Sequence, residues 1–207
     1  MVLSKIVPHP TPKAYLEQYT IPAEVAAEIL YMATYTYNDI LDKTVIDLGC
    51  GTGRLAIGAA LLGAKEVIGI DIDKIAIKQA IKNAEKLGVK EKISWIIADI
   101  NSVRGQFDTV VQNPPFGVQK RKADRKFLEK ALQIGKNIYS LHKGMKAAEK
   151  HAFPVVPSFL KRLIEKNGGE VKALYSLKMS IPHIFRFHRK KMHKFDVNLY
   201  VIRKREM

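Results

Sequence analysis

The chain has 207 residues, 47% hydrophobic and 27% charged, a profile that excludes a disordered tail and fits one globular domain over residues 1–207. A domain of this length buries roughly 70% of the surface its unfolded chain exposes, so it needs neither metal nor crosslinks to fold. Its 35 basic residues against 20 acidic ones give a net charge of +15, which points to a polyanionic partner, nucleic acid first, or to a lysine-rich solvated surface.

The single cysteine, Cys50, permits no internal disulfide and no cysteine-based zinc site, and no metal is expected. Apolar runs such as Val45–Leu48 and Val67–Ile70 are far shorter than the roughly 20 residues that span a bilayer. Met1–Pro12 carries three prolines where a signal peptide would be apolar, so a cytoplasmic location is expected.

No internal repeat or Gly/Ser-rich linker divides the chain. Residues 1–40 read as an extension, extended from Met1 to about Thr20, followed by a helix that starts at Pro22 and carries Val25, Ile29 and Met32 on one face. Short β-branched runs then alternate with helical patterns. Thr44–Leu48 reads as a strand, Arg54–Leu62 as a helix closed by Gly63, and Glu66–Ile70 as a second strand. Ile77, Ile81, Ala84 and Leu87 share one face of a helix that Gly88 stops, and Ile93–Ala98 follows as a third strand. Phe107–Gln112 is a fourth strand, Asp124–Ile134 a helix capped by Asp124, and Asn137–Leu141 a fifth strand. After a helix near Pro157–Lys166, Glu170–Ile181 and Phe195–Arg203 read as an antiparallel pair at one sheet edge. The rhythm predicts an α/β, Rossmann-like fold: a seven-stranded, mostly parallel sheet with an antiparallel edge hairpin and helices on both faces.

The first strand runs into Asp47-Leu48-Gly49-Cys50-Gly51-Thr52-Gly53 and then directly into a helix. Glycines at alternate positions let the backbone turn sharply and approach a nucleotide where a side chain would collide with it. The loop alone is ambiguous, because Gly51-Thr52-Gly53-Arg54-Leu55-Ala56 also satisfies the Gly-x-Gly-x-x-Ala pattern of dinucleotide enzymes. Asp71 stands 18 residues after Gly53, near the distance of about 20 at which an acid accepts from ribose hydroxyls. Asp73 is the neighbouring candidate for that role but reads better as the cap of the next helix, and Asp99 ends the third strand where it can accept from an adenine amino group.

Asn113-Pro114-Pro115-Phe116 follows the fourth strand. Two consecutive prolines stiffen the backbone, so the Asn113 amide oxygen and the Pro114 carbonyl can both face one target amine, while Phe116 offers a ring for stacking. Cys50 reads as a small packing residue. His183, His188 and His193 recur at a spacing that suits no metal site.

These motifs resemble those of class I S-adenosylmethionine-dependent methyltransferases that modify exocyclic or amide nitrogens. Glu17-Gln18-Tyr19-Thr20, Tyr139-Ser140-Leu141-His142-Lys143 and Phe187-His188-Arg189-Lys190-Lys191 narrow the resemblance to the methyltransferase-like protein five family, small-subunit ribosomal RNA adenine-N6 methyltransferases with archaeal relatives. The resemblance spans almost the whole chain and is weakest over Val118–Arg125. It implies S-adenosyl-L-methionine as cofactor, with the extension closing over it. Gln18, Tyr19 and Thr20 would cover the methionine end, Gly49 and Gly51 would line methionine and ribose, Asp71 would hold the ribose, and Asp99 with Ile100 the adenine. Asp47, Gly53, Ile72 and Asn113 complete the cofactor set, and Asn113, Pro114, Pro115 and Phe116 form the catalytic turn.

RNA contacts are expected at Lys120, Arg121 and Lys122 beside that turn and at Arg186, His188, Arg189, Lys190 and Lys191, where cations alternate with aromatics. The third strand, Ile93-Ser94-Trp95-Ile96-Ile97, would be a bare edge; the family's relatives suggest a small zinc-binding activator subunit that pairs there and buries Trp95 or Ile97, the alternative being that Trp95 packs under the chain's own helices and the short edge stays bare. Two rival functions remain open at this stage. One is protein glutamine N5 methylation of a release factor, whose enzymes usually carry Tyr at the position of Phe116. The other is a non-enzymatic RNA-binding assembly factor that retains the cofactor fold.

Overall fold

Val45 and Ile46 are neighbours in sequence and core residues of opposite faces, and that alternation organises the sheet. In the computed structural model, which describes residues 2–117, 123–144, 155–182 and 192–205, seven strands form one sheet. They are β1 (Thr44–Leu48), β2 (Glu66–Asp71), β3 (Ile93–Ile97), β4 (Phe107–Gln112), β5 (Gly135–Lys143), β6 (Gly169–Pro182) and β7 (Met192–Lys204), in the order β3-β2-β1-β4-β5-β7-β6. β1 to β5 are mutually parallel, with Val45 opposite both Val67 and Thr109, and β7 runs antiparallel between β5 and β6. The expected sheet and its edge hairpin are therefore present.

The helices are α1 (Ala23–Tyr31), which continues into a π-helical turn at Met32–Thr36, α2 (Arg54–Leu61), α3 (Lys74–Lys86), α4 (Ala123–Ile134) and α5 (Ser158–Lys166). α1, α2 and α3 cover the face that buries Val45, Val67 and Val111. α4 and α5 cover the face that buries Ile46, Leu48 and Ile70. Burying both faces explains the continuous apolar runs of β1 and β4, whose inner residues are essentially inaccessible. None of the described helices is long and apolar enough to cross a membrane.

Residues 1–40 are pinned to the sheet through Asp39. This buried carboxylate accepts from Tyr139 Oη at 2.5 Å and Asn137 Nδ2 at 3.0 Å, and pairs with Arg203 at 2.6 Å. A second tie, Tyr37 Oη to Tyr175 Oη at 2.8 Å, reaches β6. Three local expectations change. The opening segment is not uniformly extended: a 3₁₀ turn at Val2–Lys5 goes with the burial of Leu3 and Ile6 in the core that α1 and α2 share, and a second forms at Ala14–Leu16, where no residue is buried. Asp124 lies inside the first turn of α4 and its carboxylate faces His142 Nδ1 at 3.8 Å, so it does not cap the helix. Trp95 is turned inward, its ring so close to Gly53 and Gly69 that a Cβ on either would overlap it, and an added strand at β3 would meet the exposed Ile96 and Ile97 instead.

Candidate active site

The carboxyl ends of β1 to β4 come together at one edge of the sheet, where a parallel α/β sheet binds its ligand. After β1 the chain doubles back, and Gly49 and Cys50 both donate their N–H to the Ile70 carbonyl at 2.9 Å. Gly49 and Gly51 hold φ values of +70° and +54°, which side-chain-bearing residues rarely adopt. A Cβ on Gly51 would meet nothing within 4 Å, so the loop presents bare backbone to open space. Gly53 does not line that space: its Cβ would sit 2.5 Å from Trp95 Cη2, so glycine there serves the packing of α2 against β3.

Two acids build the loop. Asp47, 1% exposed, accepts the Ala56 N–H at 3.0 Å and so ties β1 to α2. Burial, with some repulsion from Asp71, pushes its carboxyl up to about 7. Asp71 accepts from Gly51 N–H and Asp73 N–H, both at 2.8 Å. Burial raises its carboxyl as well, against those two bonds. Burial also pushes the Cys50 thiol well up, in keeping with a packing role.

The loop floors a cavity of about 310 Å³. Ile72 from the end of β2 is 57% exposed at its rim. Asp99 and Ile100 follow β3 on the cavity wall, Ile100 buried and Asp99 exposed with Oδ1 on Asn101 N–H at 2.8 Å. α4 closes another side with Phe127, whose ring leaves no room for a side chain on Gly49, and with Lys126.

The N-terminal segment forms the roof. Gln18, Tyr19 and Thr20 all line the cavity. Asp73, which the spacing offers as a helix cap sooner than as a ribose acceptor, is the hub that anchors Gln18 and Lys13. It does cap α3, accepting Ile75 N–H at 2.9 Å, and it also accepts Gln18 Nε2 at 2.9 Å and pairs with Lys13 Nζ at 3.0 Å. Burial opposes its charge, but these partners bring the carboxyl down to about 2. Thr20 Oγ1 lies 3.5 Å from Thr52 Oγ1. Arg54 donates through its Nη atoms to the carbonyls of Ile21 and Ile6, and its buried Nε has no partner. Nothing in the motif spacing announces Arg54 or the hub role of Asp73.

Asn113-Pro114-Pro115-Phe116 leaves β4 at the same edge, with Asn113 and Pro115 on the cavity wall and Pro114 buried beneath it. Tyr19 Oη approaches Asn113 Oδ1 at 3.5 Å. Burial, reinforced by the Glu17 charge, holds the Tyr19 phenol well above its usual value, so it remains a neutral donor. Phe116 is half-buried between Tyr19, at 5.7 Å between ring centroids, and Phe195, edge-on at 5.8 Å. Glu17, outside the expected site set, accepts the Phe116 N–H at 2.7 Å. Behind the turn, Gln112 donates to Ser140 Oγ at 2.8 Å, and Ser140 lies 2.9 Å from His142 Nε2, which absorbs that motif into the support of β4. The basic residues Lys120, Arg121, Lys122, Arg186, His188, Arg189, Lys190 and Lys191 lie outside the described residues.

This donor set fits S-adenosyl-L-methionine. The open cradle at Gly51 admits a ligand, buried carboxylates suit hydroxyls and cationic groups, and the orphaned Nε of Arg54 is a donor for a carboxylate.

The family model described as Ribosomal protein L11 methyltransferase (PrmA) matches residues 30–114, the cofactor half through Pro114. A crystal structure of PH1948 from Pyrococcus horikoshii superposes with a TM-score of 0.86 at 39% identity, covering 98% of this chain and 94% of that one. Protein MJ0284 of Methanocaldococcus jannaschii is 43% identical over 99% of this chain and 92% of its own length. The zebrafish (Danio rerio) protein named rRNA N(6)-adenosine-methyltransferase METTL5 is 34% identical over 93% of this chain and 89% of its own. With that identity over nearly the full length, and with a cofactor cradle and an Asn-Pro-Pro-Phe turn at one sheet edge, the chain belongs to the METTL5 family of S-adenosyl-L-methionine-dependent methyltransferases.

Proposed function

We propose that this chain, acting as one methyltransferase domain in the cytoplasm, transfers a methyl group to N6 of an adenosine in small-subunit ribosomal RNA. The observation that carries the reading is the Asn113–Phe116 turn at the cofactor cavity, with Asn113 and Pro115 on its wall. Bound in the cavity, S-adenosyl-L-methionine supplies an activated methyl group on a positively charged sulfur. The chain's own task is to make a poor nucleophile competent.

The N6 lone pair of adenine is delocalised into its ring. Acceptors at the Asn113 amide oxygen and the Pro114 carbonyl draw on the two N–H bonds and hold the amine in one orientation. Tyr19, donating to Asn113 Oδ1, fixes the direction of that amide. Transfer needs no base beforehand, because the proton leaves after the new N–C bond forms. The base must leave its stack to reach the cavity, which favours a loop, bulge or weak pair in the RNA, with Phe116 beside the extruded ring.

The net charge of +15 suits RNA better than a protein acceptor. Lys126 on the cavity wall and Arg125, stacked 4.6 Å over the Phe159 ring, begin a cationic margin. Lys120, Arg121, Lys122, Arg186, His188, Arg189, Lys190 and Lys191 are the further cations assigned to RNA in this reading, on sequence alone. The testing experiment is incubation with labelled cofactor and separate RNA, DNA and protein pools, followed by nucleoside and amino-acid analysis. N6-methyladenosine in small-subunit RNA is expected; methylglutamine without a methylated nucleoside overturns the substrate.

A zinc-binding activator subunit belongs to the same proposal. β3 ends the sheet with Ile96 and Ile97 exposed at 42% and 50%, and an added strand would satisfy its free backbone groups. Ile96→Lys is then expected to abolish co-purification with such a subunit while shifting the melting temperature of the isolated chain by only a few degrees. Unchanged co-purification removes β3 as the docking edge.

A further inference from the structure

The turn that faces the substrate amine cannot hold itself. Pro114 and Pro115 have no N–H, so Phe116 carries the first backbone donor after Asn113. That donor goes to the Glu17 carboxylate at 2.7 Å, across 99 residues of sequence. Glu17 stands in the roof, two residues before Tyr19, which reaches Asn113 in the same turn. Both ends of the Asn-Pro-Pro-Phe segment are therefore held from the N-terminal segment.

Glu17 is also one of three described non-glycine residues with positive φ, at +52°. Glycine would adopt this backbone freely; glutamate does so against the steric preference of its Cβ. A side chain carried at a position that suits glycine, and making a contact glycine could not make, points to a role for that side chain. That contact is a charge-assisted bond, stronger than one to a neutral acceptor, on the sole N–H of a three-residue stretch.

We propose that Glu17 is a positioning residue for methyl transfer: its carboxylate, held in the roof, fixes the Phe116 end of the acceptor turn and with it the geometry that receives the amine. The inference rests on Asn113–Phe116 being the turn that receives the amine. The roof is held to the body by Gln18 on Asp73, by Thr20 beside Thr52 and by Arg54 donating to the Ile21 carbonyl, contacts that do not involve Glu17. Losing Glu17 thus loosens the turn far more than the roof.

The test compares Glu17→Gly, Glu17→Gln and Asn113→Ala on small-subunit ribosomal RNA. Single-turnover methyl transfer, S-adenosylhomocysteine affinity by calorimetry and melting temperature are measured for each. Glu17→Gly relieves the backbone and removes the acceptor. It is expected to melt within a few degrees of wild type, to bind S-adenosylhomocysteine within about threefold, and to transfer methyl roughly 10- to 100-fold more slowly, the scale of a misplaced reacting group. Glu17→Gln keeps a neutral oxygen on the Phe116 N–H and restores the rate to within about fivefold of wild type.

Wild-type transfer by Glu17→Gly while Asn113→Ala is inactive overturns the role of Glu17. A rate loss matched by an equal loss of S-adenosylhomocysteine affinity also overturns it, reducing Glu17 to a roof contact. Wild-type transfer by Asn113→Ala instead overturns the acceptor turn itself.

Discussion

The cofactor cradle and the acceptor turn share one sheet edge but are built on opposite plans. The cradle supports itself: Gly49 and Cys50 bond to the Ile70 carbonyl, Asp47 holds Ala56, and Asp71 holds Gly51, all within residues 47–71. The acceptor turn has two prolines in place of donors and is held by Tyr19 and Glu17 of the N-terminal segment. A cradle of local bonds is ready before any ligand arrives. A turn supported from the roof depends on the roof being in place, so the two halves should respond differently to substitution.

Asn113→Ala gives the largest separation. It removes an oriented acceptor from the substrate side and leaves every bond of the cradle intact, so transfer should fall by roughly 10²–10³-fold, the scale seen when a preorganised polar group is deleted at a reacting centre. Cofactor affinity, measured by calorimetry, should stay within a few fold. An equal loss in both quantities would mean that the halves are not separable.

Asp71→Ala attacks the cradle. The carboxylate stands on the cavity wall and also shapes the loop through Gly51 and Asp73. Charge-assisted bonds of this kind are worth about 1.5–3 kcal/mol, so cofactor affinity should weaken roughly 10- to 100-fold. Asp71→Asn, which retains an acceptor for Gly51, should lose less. Unchanged affinity in a folded Asp71→Ala chain would remove Asp71 from the site.

The same contrast explains what was legible in the sequence. Strands β1 to β4, the glycine loop and the acids at the strand ends follow from local spacing, because backbone direction and helix starts are decided within a few residues. Which glycine faces the ligand is not local: Gly53 belongs to the motif, yet its neighbour is Trp95, brought in by β3. Asp73 reads as a cap, and only the fold brings Gln18 to it across 55 residues. Glu17 could be quoted as part of a resemblance, but its partner is fixed by topology alone. Trp95 on an edge strand suggested an outward surface, because the sequence does not reveal that Gly53 and Gly69 leave a slot for the ring on the inner side.

The smallest effect concerns pH and sharpens the account of the cradle. Burial raises the Asp47 carboxyl to about 7, from an ordinary value near 4, so the folded chain holds a proton there that the unfolded chain has already lost. Between about pH 4 and pH 7 the folded state binds more protons, and this group's contribution to stability therefore falls as pH rises and levels off above about 7. A cationic ligand beside Asp47 favours the carboxylate, so binding should release part of a proton near neutrality. S-adenosyl-L-methionine affinity should then rise a few fold from pH 6 to pH 8, and calorimetry in buffers of different ionisation heat should detect the proton. Asp47→Asn keeps an acceptor for Ala56 N–H but cannot titrate; it should flatten both dependences and raise the melting temperature at pH 8 relative to wild type. S-adenosylhomocysteine, which lacks the sulfonium charge, should show the weaker pH response of the two ligands. An identical response for both would mean that Asp47 responds to what the two ligands share, their ammonium group or the filling of the cavity, and not to the sulfonium.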